Sequence, residues 1–245
     1  MTDLASNPIV RTAELRRVYG EGETAVHALA GVTVAFNAGQ FAAIMGPSGS
    51  GKSTLMHLLA GLDRPTAGSV VVDGKELANL DDRGLTRLRR DRLGFVFQAF
   101  NLVPVLTAEE NILLPLTLAG RKPDKEWVDR LIAAVGLEDR LDHRPSELSG
   151  GQQQRVAVAR ALIHRPAVVF ADEPTGNLDS RSSEEVLALL RQAADEFGQT
   201  VIMVTHDAYA ASVADRIVVL RDGKIVHDGH GETTEGVLDL MKAVA

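Results

Sequence analysis

The chain contains no cysteine, which excludes disulfides, thiolate metal sites and cysteine nucleophiles and fits a cytosolic setting. It also lacks any apolar run approaching the ~20 residues needed to span a bilayer. If the protein works at a membrane, another chain is expected to supply the membrane part. The start, Met1-Thr-Asp-Leu-Ala-Ser-Asn-Pro8, has neither a basic n-region nor an apolar h-region, so no signal peptide is expected. Positive charge is in deficit: 26 Lys+Arg against 33 Asp+Glu leave a net charge of −7. A nucleic-acid binder wants a basic face, and no nucleic-acid partner is expected. Internal repeats, low-complexity tracts and linkers are missing too.

What is present is a globular composition, 45% hydrophobic and 24% charged over 245 residues, enough for a substantial core. The most telling segment runs from Gly46 to Thr54, Gly-Pro-Ser-Gly-Ser-Gly-Lys-Ser-Thr, directly after the apolar run Phe41–Met45. Its glycines (Gly46, Gly49, Gly51) let the backbone curl so that successive N–H groups, those of Ser48 and Ser50 among them, point at phosphate oxygens. The helix that follows adds the positive end of its dipole. Lys52 can then reach the β- and γ-phosphates, and the Ser53 hydroxyl can ligate Mg²⁺. The alternative is a Gly-rich turn with no ligand, but a buried-type strand before the loop and a helical Ser53–Ala60 after it supply the context a phosphate cradle requires. A nucleoside triphosphate is therefore the expected fuel.

Strands are expected at Ile9–Leu15, Val32–Phe36, Phe41–Met45 and Ser69–Val72, the last ending in a hairpin turn at Asp73-Gly74. Asp81 to Arg92 is a mixed-charge helix or loop whose arginines read most simply as a solvated face. Leu93–Phe97 is a strand delivering Gln98. Helical patterns follow at Glu109–Leu118, Lys125–Val135 and Gln152–Ile163, with prolines at 104, 115, 123 and 145 interrupting or bounding them. Buried-type strands at Ala167–Ala171, Thr200–Thr205 and Arg216–Leu220 alternate with a helix at Ser182–Phe197. A last hairpin turns at Asp222-Gly223, and a short helix lies near Gly236–Val244. Such alternation argues a mainly parallel sheet covered on both faces. One α/β unit over 1–245 is expected, with a helical insertion over about 99–164, rather than two independent domains.

Three strand ends carry polar groups. Val168–Ala171 runs into Asp172-Glu173-Pro174, and a strand buried on both faces has no reason to end in two carboxylates unless they are used. Asp172 can hold Mg²⁺ through its waters, and Glu173 can orient or deprotonate a water attacking the γ-phosphate. Thr200–Thr205 ends in His206, either structural or a donor to the γ-phosphate. Gln98 follows its strand as an amide able to sense Mg²⁺ or the lytic water. Leu148-Ser-Gly-Gly-Gln152 is open to two readings: Ser149-x-x-Gln152 has the form of a capping box, while Gly150 and Gly151 leave free N–H groups at a positive helix end, suiting a second anion site.

Together, Gly46–Thr54, Gln98, Leu148–Gln152, Val168–Glu173, Asn177-Leu-Asp179 and His206 resemble the full ordered motif series of an ABC-type ATPase: Walker A, Q-loop, signature, Walker B, D-loop and switch histidine. Tyr19 resembles that family's adenine-stacking aromatic. The likeness covers Ile9 to about Gly229. It implies a P-loop NTPase fold of RecA-like type, with a mainly parallel core, an N-terminal antiparallel β subdomain and a helical insertion carrying the signature. It further implies ATP and Mg²⁺ as cofactors and hydrolysis to ADP and phosphate. Two such domains, in a homodimer or heterodimer, would sandwich each nucleotide between Lys52 and Ser53 of one and Ser149 and Gly151 of the other, with Gln152 and Asp179 at the same junction.

Phe100–Ile112, Arg144–Glu147 and Gly176–Asp179 resemble, more narrowly, the lipoprotein-releasing, macrolide-efflux and cell-division permease ATPases. The chain ends soon after the last hairpin, so the regulatory domain of sugar-importer ATPases is not expected. The implied setting is the cytoplasmic face of the cell membrane, held there by an integral membrane permease, in export or extraction. The alternative within the family is an ATPase that drives a permease-like partner in envelope signalling or cell division without transport. Repair and translation ATPases of the family carry a long coiled-coil insertion or two cassettes, and a nucleoside kinase has no use for Leu148–Gln152.

Overall fold

A computed structural model describes residues 8–244; the segment Met1–Asn7, read above for targeting signals, lies outside the described residues. Its strands and helices are, in chain order, β1 (Val10–Tyr19), β2 (Val26–Val32), β3 (Ala35–Phe36), β4 (Phe41–Met45), α1 (Lys52–Leu59), β5 (Ala67–Val72), β6 (Lys75–Glu76), α2 (Asp82–Arg92), β7 (Leu93–Phe97), α3 (Ala108–Leu118), α4 (Lys125–Val135), α5 (Gly150–Leu162), β8 (Val168–Asp172), α6 (Ser180–Phe197), β9 (Thr200–Val204), α7 (Ala208–Ser212), β10 (Arg216–Arg221), β11 (Lys224–His230) and α8 (Thr234–Val244).

Two sheets form. One runs β11-β10-β4-β9-β8-β7, parallel from β10 through β7 with β11 antiparallel at its edge. The other runs β2-β1-β5-β6, all antiparallel, with β3 also paired to β1. The central strands are apolar at every position because both faces are covered, and alternation of side chains splits them between two cores. Phe41, Ala43, Met45, Val169, Ala171, Val201 and Met203 face a core that continues into α3–α8. Ala42, Ile44, Val168, Phe170, Ile202 and Val204 face α1, α2 and the antiparallel sheet. Phosphate loop and sheet edge are thus clamped between two independent hydrophobic layers.

The helical segment is pinned to the same core. The Trp127 indole N–H donates to the Ile163 carbonyl at 3.0 Å, and its ring meets Phe197 edge-on at 5.0 Å between centroids. Thr107 and Glu110 close a capping box at the start of α3, and Asp124 caps α4. Helix α3 contains Pro115, within the helical stretch Glu109–Leu118 that the sequence pattern leads one to expect.

Strand β1 extends to Tyr19, well past the expected end at Leu15. Its register against β5 slips between Ala13 and Arg16 and Glu14 adopts a φ of 47°. A bulge of this kind scrambles the alternation that marks a strand in sequence. The expected Val32–Phe36 strand is two pieces: β2 ends at Val32, and Val34 N–H turns to the Thr12 hydroxyl at 3.0 Å before β3 begins.

Gly94 shows how tightly β7 and α5 approach. A methyl group there would lie 2.4 Å from the Ala161 carbonyl oxygen. Gly94→Ala is expected to destabilise the protein by about 1–3 kcal/mol through overpacking, measured as a lowered urea midpoint with an unchanged slope.

Candidate functional site

The parallel register decides what meets at the carboxyl edge of the sheet. Phe97 pairs with Asp172, Asp172 with Val204, and Val204 with Ile44. The residues one step beyond that row are Gln98, Glu173, Thr205 and Met45, so the amide, the carboxylate, the approach to His206 and the entry to the phosphate loop leave the sheet side by side. Adjacent strands stand about 4.8 Å apart, which puts these groups within reach of one small ligand. This is the edge where open α/β sheets bind ligands.

The loop at Gly46–Gly51 needs glycine for reasons that can be read off two positions. Gly46 has φ 144°, and a Cβ there would sit 2.1 Å from the Leu220 carbonyl oxygen; Gly51 has φ 101°, and its Cβ would lie 2.4 Å from the Ala28 carbonyl oxygen. Strand β10 and the antiparallel sheet therefore press on the loop from behind. Ser48 and Gly49 are exposed at its tip, while Ser50 is buried, its hydroxyl turned into the protein and its carbonyl receiving the Gly223 N–H at 3.1 Å.

Lys52 opens α1 and folds back over the loop, its ammonium donating to the carbonyls of Gly46 at 2.8 Å and Pro47 at 3.0 Å. Burial pulls the Lys52 pKa down, against the opposing pull of Glu173 and Asp172. Ser53 is exposed and Thr54 half-buried in the first turn behind it. Burial, reinforced by Glu173, pushes the Asp172 carboxyl up, while His57 and Lys52 oppose the rise. No side chain among the described residues hydrogen-bonds to it.

Glu173 sits at φ 46°, in the left-handed region that side chains avoid. Its N–H donates to the Val204 carbonyl at 2.9 Å, and its carboxylate meets His206 Nδ1 at 2.8 Å. The two residues thus line a cleft together with Gly176, Leu178 and Tyr209. Gln98 is exposed and bonded twice to Asn177: its side-chain amide donates to Asn177 Oδ1 at 3.0 Å, and its backbone carbonyl accepts from Asn177 Nδ2 at 3.0 Å. Asn177 was legible only as part of a motif; its role as the partner of Gln98 comes from the fold.

Of the two readings of Leu148–Gln152, the structure shows the capping-box one directly. The capping box exists: Gln152 N–H donates to the Ser149 hydroxyl at 3.2 Å and Ser149 N–H to Gln152 Oε1 at 2.9 Å. It uses those two donors and leaves the N–H groups of Gly150 and Gly151 at a positive helix end. Ser149 is exposed, and no hydrogen bond joins this tip to the phosphate loop among the described residues. Gly151 is buried against Ser182, 2.6 Å from a would-be Cβ to the hydroxyl. Asp179 is committed to α6 instead of reaching outward, taking the Ser182 N–H and hydroxyl, each at 2.9 Å, and that N–H chiefly holds its carboxyl low.

Tyr19 stands apart from the sheet edge. Its ring is 40% exposed, the Arg17 guanidinium covers one face at 4.5 Å, and its hydroxyl donates to Asp63 at 2.9 Å. Arg17 as the second layer of that stack was not foreseen.

A parallel sheet with a glycine-rich loop between strand and helix, and acidic residues at the end of a strand of the same sheet one strand removed from it, defines a P-loop nucleoside triphosphatase. The sequence model of the family described as "ABC transporter" matches residues 29–176. The chain belongs to the ABC transporter family, as its ATP-binding and ATP-hydrolysing cassette. An uncharacterised ABC transporter ATP-binding protein of Thermotoga maritima is 48% identical over 219 residues, covering 89% of this chain and 93% of its own length. The macrolide export ATP-binding/permease protein MacB of Marinobacter nauticus is 48% identical over 231 residues, 94% of this chain but 36% of that protein. The chain thus spans about a third of the length of such macrolide-export relatives. Among solved structures, a dimeric ATP-binding cassette in a post-hydrolysis state with ADP and Pi matches with a TM-score of 0.81 and 42% identity, over 91% of this chain and 99% of that one.

A carboxyl whose folded pKa lies above its unfolded value costs stability at pH above both, and the cost fades as pH falls through them. Asp172→Asn is therefore expected to raise the melting temperature of the nucleotide-free protein at about pH 7.5, with the gain disappearing near the ordinary Asp pKa of about 3.9. Differential scanning calorimetry in a chelating buffer over that range checks it.

Proposed function

We propose that the chain is the energising subunit of a membrane export or extraction complex, working as a homodimer or heterodimer of cassettes on the cytoplasmic face of a permease. Among the described residues no helix is long and apolar enough to cross a membrane, and the macrolide-export relatives join a cassette to a permease in one named protein. The reading rests chiefly on one observation: Ser149, at the tip of α5, is exposed and, among the described residues, has no hydrogen bond to the phosphate loop of its own chain. A partner cassette is the natural source of the phosphate it would bind, and dimeric cassettes are among the solved structures this chain resembles.

Within such a dimer the loop amides and Lys52 hold the β- and γ-phosphates, and Tyr19 offers its open face to the adenine. Ser149, Gly150 and Gly151 of the mate cover the γ-phosphate. The residues present also fit a nucleotide-bound Mg²⁺, which requires one or two protein groups beside phosphate oxygens: the Ser53 hydroxyl, the Gln98 amide and, through water, the half-buried Asp172 carboxylate, to which no side chain among the described residues donates. When bound, that ion neutralises charge on the phosphates.

Glu173 takes the proton of the attacking water. His206 orients that carboxylate through Nδ1, 2.8 Å from it, and its Nε2 is the atom that would donate to the γ-phosphate.

Glu173→Gln is expected to keep ATP binding while lowering kcat by about 10²–10⁴-fold, the weight of a general base; near-normal steady-state hydrolysis would show that Glu173 is misassigned. Ser149→Arg is expected to leave ATP binding by the monomer intact and to abolish the ATP-dependent dimer. Unchanged dimers on size exclusion, with hydrolysis retained, would rule out the composite site.

A further inference from the structure

Helix α5 carries a polar side chain that no contact with nucleotide explains. Gln154 is fully buried, and its amide nitrogen donates to two backbone carbonyls at once, Phe97 at 3.2 Å and Pro174 at 2.5 Å. Its Oε1 is buried with no hydrogen-bond partner among the described residues. The orientation is fixed all the same, because turning the amide would set an oxygen against two carbonyl oxygens. A buried amide with half its capacity unused is costly.

The two carbonyls belong to the residue just before Gln98 and the residue just after Glu173. Backbone pairing between β7 and β8 stops at Phe97 and Asp172, so beyond that row the ladder no longer fixes the distance between the two strand exits. Gln154 bridges them at this point. It also holds one side of the strained turn at Glu173, whose N–H is tied to Val204 on the other side. The same helix grips the chain further along: Arg160 donates to the carbonyls of Asn101 at 2.6 Å and Phe100 at 2.8 Å, two residues that also have positive φ.

We propose that Gln154 is a positioning residue for ATP hydrolysis, its buried amide setting the separation of Gln98 and Glu173 by bonding the backbone beside each. Since it rides on the helix that Ser149 caps, a shift of that tip is felt at both groups. The inference rests on the roles given above to Gln98 and Glu173.

The test uses the full chain with Mg-ATP, measuring kcat, KM, ATP affinity and amide hydrogen exchange of the 172–176 turn. Gln154→Met keeps the volume but removes both donors. It should lower kcat by roughly 10–100-fold, the scale of a displaced catalytic group, with KM within about two-fold and faster exchange in the turn. Gln154→Glu adds a chemical signature. Burial and two facing carbonyls favour its neutral form, whose O–H donates to one of them, whereas the ionised form only repels them. Its kcat relative to the unsubstituted protein should therefore rise as pH falls from about 8.5 to about 6.5, a range that buried Glu residues reach.

Unchanged kcat in Gln154→Met, or a pH-independent ratio in Gln154→Glu, overturns the proposal. If Gln154→Met fails to fold, the pH dependence of Gln154→Glu decides alone. Glu173→Gln, run in parallel, separates the two levels. Loss of hydrolysis there with normal Gln154 variants refutes the positioning role only. Retained hydrolysis in Glu173→Gln refutes the catalytic assignment, and this inference with it.

Discussion

The register of the parallel sheet is the constraint on which the site depends. Phe97, Asp172, Val204 and Ile44 share one row, so Gln98, Glu173 and the start of the phosphate loop emerge together, with His206 one residue beyond its row. A slip of one residue in β8 would turn Phe170 and Ala171 to the opposite cores and withdraw the carboxylates from the edge. The double-sided burial of these strands makes such a slip prohibitively costly, and the catalytic edge inherits that precision.

Past the last paired row, regular structure can no longer hold the chain, and buried polar side chains take over. Asn111 is fully buried and satisfies the N–H and carbonyl of Val103 together with the carbonyls of Leu106 and Thr107. Arg160 gives up hydration, which pulls its pKa down, to hold two carbonyls of the kink after Gln98. Gln154 does the same between the strand exits. Among the described residues none of these groups has a carboxylate partner; each is spent on irregular backbone, where an unpaired carbonyl would otherwise be left buried. The result is a loop region between sheet and helical segment that is hydrogen-bonded to α5 through Gln154 and Arg160.

The motif residues were legible because their chemistry is local. A glycine-rich loop between an apolar strand and a helix, or two carboxylates ending a buried strand, announces itself within about ten residues, and the period of the central strands and of α4 and α6 is equally local. The β1 bulge and the break between β2 and β3 were not readable, since each depends on what a distant strand offers the backbone. The likeness to a known motif series named Asn177 and Asp179 but not the contacts they make within the fold: Asn177 holds Gln98 across the strand edge, and Asp179 caps α6.

By itself the sequence determined the fuel, the strand-and-helix alternation and the identity of the groups at the strand ends, because residue type and near-neighbour pattern suffice for these. Only the tertiary structure decided which groups stand side by side, that no hydrogen bond among the described residues joins the Ser149 tip to its own phosphate loop, and that Gln154 joins the strand exits beside Gln98 and Glu173. Those facts depend on register and on hydrogen bonds between residues far apart in the chain, 57 positions for Gln154 and Phe97, and no local pattern encodes a partner at that distance.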